Sequence, residues 1–283
     1  MARAQRHYIP GQIWHITHRC HKREFLLKFS KDRSRWLQWL YEAKKRYGLV
    51  ILNYAVTSNH IHLLAVGSNE RDVIPNSIKL IAGRTGQEFN QRKSRKGAFW
   101  EDRYHATAVE SGDHLIKCLV YIDLNMVRTW IVDHPSEWPF CGYNEIQEPK
   151  RKNILINYQR LTELLGFGSY DEVKKYHKRW VDDFLNNGKN IRDDKWTKNI
   201  AVGSRSFVKR VKSLMGVIGY REKKYWSRWI ISASRTCNSL WGSFWGRKEQ
   251  YRAKKRLFVG QYSFIFNMLA WSDPGPSAIN SDA

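Results

Sequence analysis

The apolar positions in the first 130 residues fall into short segments separated by polar turns, some with helical spacing and others with the character of strands. We predict four strands, at residues 12–19, 49–56, 61–66 and 99–109. We predict three helices, at residues 30–48, 74–90 and 113–131. The order βαββαβ followed by a helix indicates an α+β fold, a ferredoxin-like antiparallel sheet with its helices on one face.

The composition changes beyond this region and predicts where domains meet. Residues 147–152 form a polar run, and a capping box at residues 169–172 opens a helix that reaches about Leu185. We predict a first domain over residues 1–145 and a basic, tryptophan-rich, mainly helical extension over residues 146–271. The last residues, 272–283, are rich in Pro, Gly, Ser and Asp and are expected to form a flexible tail.

The charge of the chain points to a polyanionic partner. It has 49 Lys and Arg against 26 Asp and Glu, a formal net charge of +23 and an isoelectric point near 10.0. Nucleic acid is the first candidate for such a partner. Aromatic residues interleave with the cations, as in residues 220–229, and this mixture suits unpaired bases, which stack while the cations hold phosphates. Many of the same aromatic residues are expected to be core.

The cysteines and the hydropathy limit where the protein acts. The four cysteines are widely spread and form no CxxC pair, which argues against a disulfide framework and fits a reducing cytoplasm. No run approaches the ~18 to 20 apolar residues that span a bilayer. The chain is expected to be cytoplasmic and neither secreted nor embedded in a membrane.

Two short patterns carry candidate chemistry. In a strand, His60 and His62 point to one side and converge, which is how two imidazoles meet one metal ion. In a helix, Tyr121 and Asn125 are neighbours, so a third ligand and a phenol arrive together. Each pattern also has a purely structural interpretation. The two histidines could simply be hydrogen-bonded, and the tyrosine could simply belong to the core.

The helical wheel separates Tyr121 from the core stripe. Leu115, Leu119, Ile122 and Met126 follow helical spacing and form one apolar face. Tyr121 lies off that face, on a polar sector that it shares with His114, Cys118, Asn125 and Arg128. Such a polar face is where chemistry is expected.

The first predicted strand contains a histidine-rich segment with the ligand types of a zinc site, but the ligand spacing does not support such a site. His15, His18, Cys20 and His21 are close together, but no second ligand pair with zinc-finger spacing follows. We interpret them as polar strand and loop positions near nucleic acid.

Three ordered motifs resemble a known family. They are TSNHIHLL at residues 57–64, FWEDRY at residues 99–104 and YIDLNMVR at residues 121–128. The combination resembles the HUH single-tyrosine transposases, specifically the branch associated with repetitive extragenic palindromes (REPs). The likeness is strong over residues 8–145 and weaker through the later helices, including residues 154–184. Two departures are visible, since Thr57-Ser58 stands where the family has Met-Pro, and Met126 stands where Pro commonly follows the Asn.

The resemblance implies a role for each matching residue. His60, His62 and Asn125 would bind a divalent metal, and Tyr121 would be the nucleophile. Nitrogen ligands favour Mn²⁺, while abundance and an oxygen-rich substrate favour Mg²⁺. Attack by the phenol would give a 5′-phosphotyrosine and a free 3′-hydroxyl, so the expected activity is that of a metal-dependent endonuclease and strand transferase. An ordinary phenol is about one part in a thousand ionised at neutral pH, a deficit of roughly 4 kcal/mol that the site must offset.

The resemblance also implies a partner, a single-stranded DNA hairpin of a REP with a short tetranucleotide at its foot. A monomer is favoured, and a dimer stays open. Charge and position suggest the DNA contacts, which are Arg3, Arg6, His7, Arg92, Lys93, Arg95, Lys96, Arg103 and Arg128. Three alternatives remain, namely a replication-initiator or relaxase-like HUH nickase, a non-catalytic nucleic-acid-binding regulator, and an RNA-binding module, because ferredoxin-like sheets often bind RNA.

Overall fold

The structure, a computed structural model, describes residues 9–68, 70–186 and 193–215. The predicted DNA contacts Arg3, Arg6 and His7, the predicted tail and residues 216–271 of the predicted extension lie outside the described residues.

The described residues contain five strands and nine α-helices. The strands are β1 (Ile13–Arg19), β2 (Val50–Val56), β3 (His60–Val66), β4 (His105–Val109) and β5 (Ala201–Val202). The helices are α1 (Ser30–Tyr47), α2 (Val73–Arg92), α3 (Asp113–Asp123), α4 (Asn125–Arg128), α5 (Gly142–Gln147), α6 (Tyr158–Leu165), α7 (Tyr170–Asn186), α8 (Lys195–Lys198) and α9 (Arg205–Leu214). None of these helices is both long enough and apolar enough to cross a membrane.

The strands form one sheet in the order β2-β3-β1-β4-β5. The first four strands are antiparallel neighbours, and β5 pairs parallel to β4. The α+β class and the βαββαβ order are confirmed. The short strand β5 was not predicted, and β4 begins six residues later than expected, because residues 101–104 turn before the strand starts.

The two faces of the sheet carry different chemistry. Cross-strand partners share a face, so the pairs Thr17–His62 and His15–Thr107 lie on one polar face. On the opposite face, His18 stacks on Trp100 with ring centroids 4.1 Å apart, and the Trp100 indole donates to Ala82 O of α2. Helices α1 and α2 pack together on that second face, as the ferredoxin-like plan predicts. The following helix, α3, covers the polar face.

The predicted helix over residues 113–131 is in fact two helices. Leu124, with φ −77° and ψ 7°, separates α3 from the single turn α4. The guanidinium of Arg128 in α4 donates to the Tyr121 carbonyl at 2.5 Å and so satisfies one of the carbonyls at the end of α3. The same bond keeps Arg128 beside Tyr121.

A buried chain of polar side chains fastens α3 to the sheet and to α7. Asn53 Nδ2 donates to Asp123 Oδ1 at 2.9 Å, and His177 Nε2 lies 2.8 Å from Asp123 Oδ2. Gln147 Nε2 in turn lies 2.9 Å from His177 Nδ1. Asp123 and His177 are both buried away from water, so each needs a hydrogen-bond partner within the protein, and their pairing supplies it. The chain beyond residue 145 thus helps to hold α3 in place.

Removing the α7 partner of Asp123 should be costly. We expect His177→Leu to lower the free energy of unfolding by about 3 kcal/mol or more, because the change leaves a buried carboxylate with one partner fewer. Arg179→Ala, on the exposed side of α7, is the matched control and should change stability by less than about 0.5 kcal/mol. Urea denaturation measures both. Equal, small effects would contradict a structural role for the Asp123–His177 pair.

Candidate active site

A cavity of about 700 Å³ opens on the polar face of the sheet, where α3 ends. Its lining includes all four residues of the predicted metal site and nucleophile, which are His60, His62, Tyr121 and Asn125. Arg103 and Arg128, two of the predicted DNA contacts, also line it. So do three cations that the sequence interpretation did not single out, namely Arg19, Arg23 and Lys198.

His62 is held on both ring nitrogens and is only 1% exposed. Its Nδ1 lies 2.8 Å from His15 Nε2, and its Nε2 lies 2.9 Å from Asn125 Nδ2. The His15 and His62 rings stack, with centroids 5.1 Å apart and an interplanar angle of 12°. These contacts fix the ring of His62 within the sheet, with Nε2 on the side of Asn125.

His60 is positioned by the turn that joins β2 to β3. Its Nδ1 lies 2.7 Å from Asn59 Oδ1 and 3.0 Å from Thr57 Oγ1. The Thr57 hydroxyl also accepts from the His60 backbone N–H, at 3.1 Å, and donates to its carbonyl, at 2.8 Å. Thr57, one of the two departures from the family pattern, therefore caps this turn. Because Asn59 Oδ1 can only accept, Nδ1 of His60 carries the proton and Nε2 keeps its lone pair.

Tyr121 is 8% exposed and lies among rings. Its ring meets the edges of His62 and His15, with centroids 6.0 and 6.1 Å apart. The guanidinium carbon of Arg128 lies 4.1 Å from the centroid of the Tyr121 ring. Such a cation–π contact puts positive charge where the ring gains electron density as the phenol gives up its proton.

The residues present fit a divalent metal ion. Two imidazoles and an amide converge on one cavity, and the Asn125 side-chain oxygen is buried with no hydrogen-bond partner among the described residues. A spare buried oxygen beside two histidines is a suitable third donor. The described residues contain no cluster of three His, Cys, Asp or Glu that could hold a metal, so the third protein ligand here would be a neutral amide.

His15 was misjudged from the sequence. It is fully buried behind His62, so it is not a polar position near nucleic acid. Burial lowers the pKa of His15 to about 3, and the ring is therefore neutral at physiological pH. The strand period places His15 and Thr17 on one face, and the pairing of Thr17 with His62 turns that face towards the candidate site.

The predicted basic loop lies outside the cavity lining. Arg92 pairs with the buried Asp32 of α1, and Arg95 donates to Ala98 O at 2.9 Å and reaches Glu24 at 3.5 Å. Lys93 and Lys96 are exposed. The DNA-contact role of these four residues stays a prediction.

Comparisons with known proteins agree with the family resemblance. Residues 9–125 match the family described as "Transposase IS200 like". Among solved structures, a REP-associated tyrosine transposase bound to a REP hairpin is 21% identical, covers 51% of this chain and 84% of its own, and has a TM-score of 0.43. A protein classed as a transposase from Deinococcus radiodurans R1 is 17% identical, covers 41% of this chain and 92% of its own, and has a TM-score of 0.31. No curated protein matches the chain significantly. Over residues 9–125, the chain is therefore similar to the IS200-like transposases.

Proposed function

We propose that this protein is a metal-dependent endonuclease and strand transferase for single-stranded DNA that works through a 5′-phosphotyrosine on Tyr121. One observation carries the proposal: the histidine pair at residues 60 and 62 and the tyrosine and asparagine at residues 121 and 125, two motifs far apart in the sequence, line the same cavity. A structural role for each residue alone would not require that they meet.

The chain's own groups account for much of the chemistry. Tyr121 gives up its phenolic proton and forms a bond from its oxygen to the scissile phosphorus, and the bond from phosphorus to the 3′ oxygen breaks, leaving a 3′-hydroxyl. Arg128 stabilises the charge on the phenol during this step. When bound, a divalent ion held by His60, His62 and Asn125 would polarise the phosphate. The reverse attack by another 3′-hydroxyl transfers the strand without ATP.

The charge around the cavity supports a nucleic-acid substrate. Five cationic side chains line it, and these are Arg19, Arg23, Arg103, Arg128 and Lys198. Two carboxylates, Glu101 and Asp102, share the lining, so the cavity has a positive excess. Phosphate contacts of this kind position a strand without reading its sequence. A single tyrosine acts on one strand at a time, which favours single-stranded DNA over a duplex.

The substrate proposed within this class is the hairpin of a REP with its flanking single strand. This choice rests on the three motifs that resemble the REP-associated branch. The spacing of Asn125 four residues after Tyr121 favours that branch over replication initiators and relaxases, which often place a third His or a carboxylate near the metal.

The nucleophile can be tested by its covalent product. Incubation of the protein with a single-stranded REP hairpin and Mn²⁺ or Mg²⁺ should give a protein–DNA species that survives denaturing electrophoresis. Tyr121→Phe should abolish it and retain hairpin binding, because only the attacking oxygen is lost. Tyr104→Phe, close to the cavity and not in its lining, should keep the adduct.

Two outcomes separate the alternatives. If Tyr121→Phe cleaves the hairpin as fast as the unmodified protein does, Tyr121 is not the nucleophile. Tight hairpin binding with no adduct in the unmodified protein would favour the non-catalytic regulator, and a preference for a matched RNA hairpin would favour the RNA-binding module.

The third metal ligand can be tested by direct binding. We expect Asn125→Ala to weaken Mn²⁺ binding about 100-fold, since even residues that only orient a metal ligand change affinity by ~10–100-fold. Asn125→Asp restores an oxygen donor and should restore binding. Titration calorimetry with Mn²⁺ measures this without DNA. An alanine variant that binds Mn²⁺ like the unmodified protein would remove Asn125 from the ligand set.

A further inference from the structure

The segment that carries α8 reaches the candidate active site from far along the chain. Residues 193–202 follow the predicted first domain and lie beyond the residues that match the transposase family. Thr197 and Lys198 nevertheless line the cavity. Trp196 is buried and packs on Tyr121, with ring centroids 5.9 Å apart.

A hydrogen-bonded relay joins this segment to the candidate metal site. The Trp196 carbonyl lies 3.0 Å from His15 Nδ1, and His15 Nε2 lies 2.8 Å from His62 Nδ1. The relay continues from His62 Nε2 to Asn125 Nδ2, at 2.9 Å. All three side chains in it are buried.

The contact between the Trp196 carbonyl and His15 determines which nitrogen of each histidine donates a hydrogen bond and which accepts one. A backbone carbonyl only accepts, so His15 must carry its proton on Nδ1. In a neutral imidazole the other nitrogen, Nε2, is then an acceptor. His62 therefore donates from Nδ1, and the lone pair on its Nε2 faces the cavity and the Asn125 amide, whose Nδ2 donates to it at 2.9 Å. Nε2 is the atom that a metal ion would need.

Hydrogen bonds to β4 and the residue after it hold the Trp196 carbonyl and the chain that follows it in place. Thr107 Oγ1 lies 3.2 Å from the same carbonyl and 2.7 Å from Asn199 O. The sheet continues this attachment, because Ala108 N donates to Ile200 O at 2.8 Å and Glu110 N donates to Val202 O at 3.0 Å. Strand β5 thus anchors the segment next to the site.

We propose that residues 193–202 are a positioning element of the active site, in which the Trp196 carbonyl fixes the tautomer of His15 and, through it, aims the Nε2 lone pair of His62 into the cavity. His15 is a positioning residue and touches neither substrate nor metal. The functional unit accordingly extends to Val202, beyond the boundary predicted at residue 145. This proposal rests on the proposed function in one respect only, that the Nε2 lone pair of His62 would bind a metal ion.

The test uses the full chain and two substitutions at one position. In His15→Gln, the amide can donate to the Trp196 carbonyl and accept from His62, so the relay keeps its direction. In His15→Leu, both contacts are lost at similar volume. Thr85→Val is the control, because it changes a buried threonine of α2, on the opposite face of the sheet, and leaves the relay intact. Two measurements are made without DNA, the imidazole tautomers from long-range ¹H–¹⁵N spectra and Mn²⁺ affinity from calorimetry.

The unmodified protein, Thr85→Val and His15→Gln should show His62 with its proton on Nδ1 and should bind Mn²⁺ within a few-fold of one another. His15→Leu should lose the single tautomer and bind Mn²⁺ about 10–100-fold more weakly. If His15→Leu does not fold, His15→Gln still decides, because the relay requires it to keep the tautomer and the affinity.

The inference is overturned if His62 carries its proton on Nε2 in the unmodified protein, or if His15→Leu leaves its tautomer and Mn²⁺ affinity unchanged. It is equally overturned if folded His15→Gln loses both. Since neither measurement involves DNA, a protein that fails to cleave any hairpin would count against the proposed function and not against the relay.

Discussion

The structure depends on one contact between two polar surfaces, the face of β1 and β3 that carries His15 and His62 and the side of α3 that carries Tyr121. Both would be costly to bury alone, because buried polar groups need partners. The hydrogen bond between His62 and Asn125, which begins α4 directly after α3, joins the two surfaces, and the contact between His15 and His62 satisfies the sheet side. The same packing that completes the fold therefore places a tyrosine beside two histidines, and the candidate chemistry arises from a constraint on stability.

The chain beyond the family match supports this contact from two sides. Helix α7 holds the end of α3 through the buried pair of Asp123 and His177. Residues 193–202 hold the histidines through the Trp196 carbonyl and cover Tyr121 with the Trp196 ring. The extension thus helps to position the residues of the candidate site, and it supplies Lys198 to the positively charged lining of the cavity.

Local patterns predicted what depends on local rules. The strand and helix order follows from apolar periodicity, and the meeting of His60, His62, Tyr121 and Asn125 in one cavity agrees with the two spacings. The sequence did not reveal the break at Leu124, because the apolar spacing runs on through it. Trp196 and His15 were missed for a different reason, since their contacts join residues 181 positions apart and no single-element period encodes such a pairing. Of the five cations that line the cavity, the sequence analysis named Arg103 and Arg128 and did not name Arg19, Arg23 and Lys198, because a charge pattern alone does not show which cations face a cavity.

The central claim is that the phenolic oxygen of Tyr121 forms a covalent bond to DNA, and peptide mapping tests it most directly. Trypsin cuts after Lys117 and Arg128, and the peptide between these sites contains a single tyrosine, Tyr121. After reaction with a single-stranded hairpin and nuclease digestion, mass spectrometry should find that peptide carrying a nucleotide through its tyrosine. A nucleotide on any other peptide, or none on a protein that has cleaved its DNA, would contradict the account.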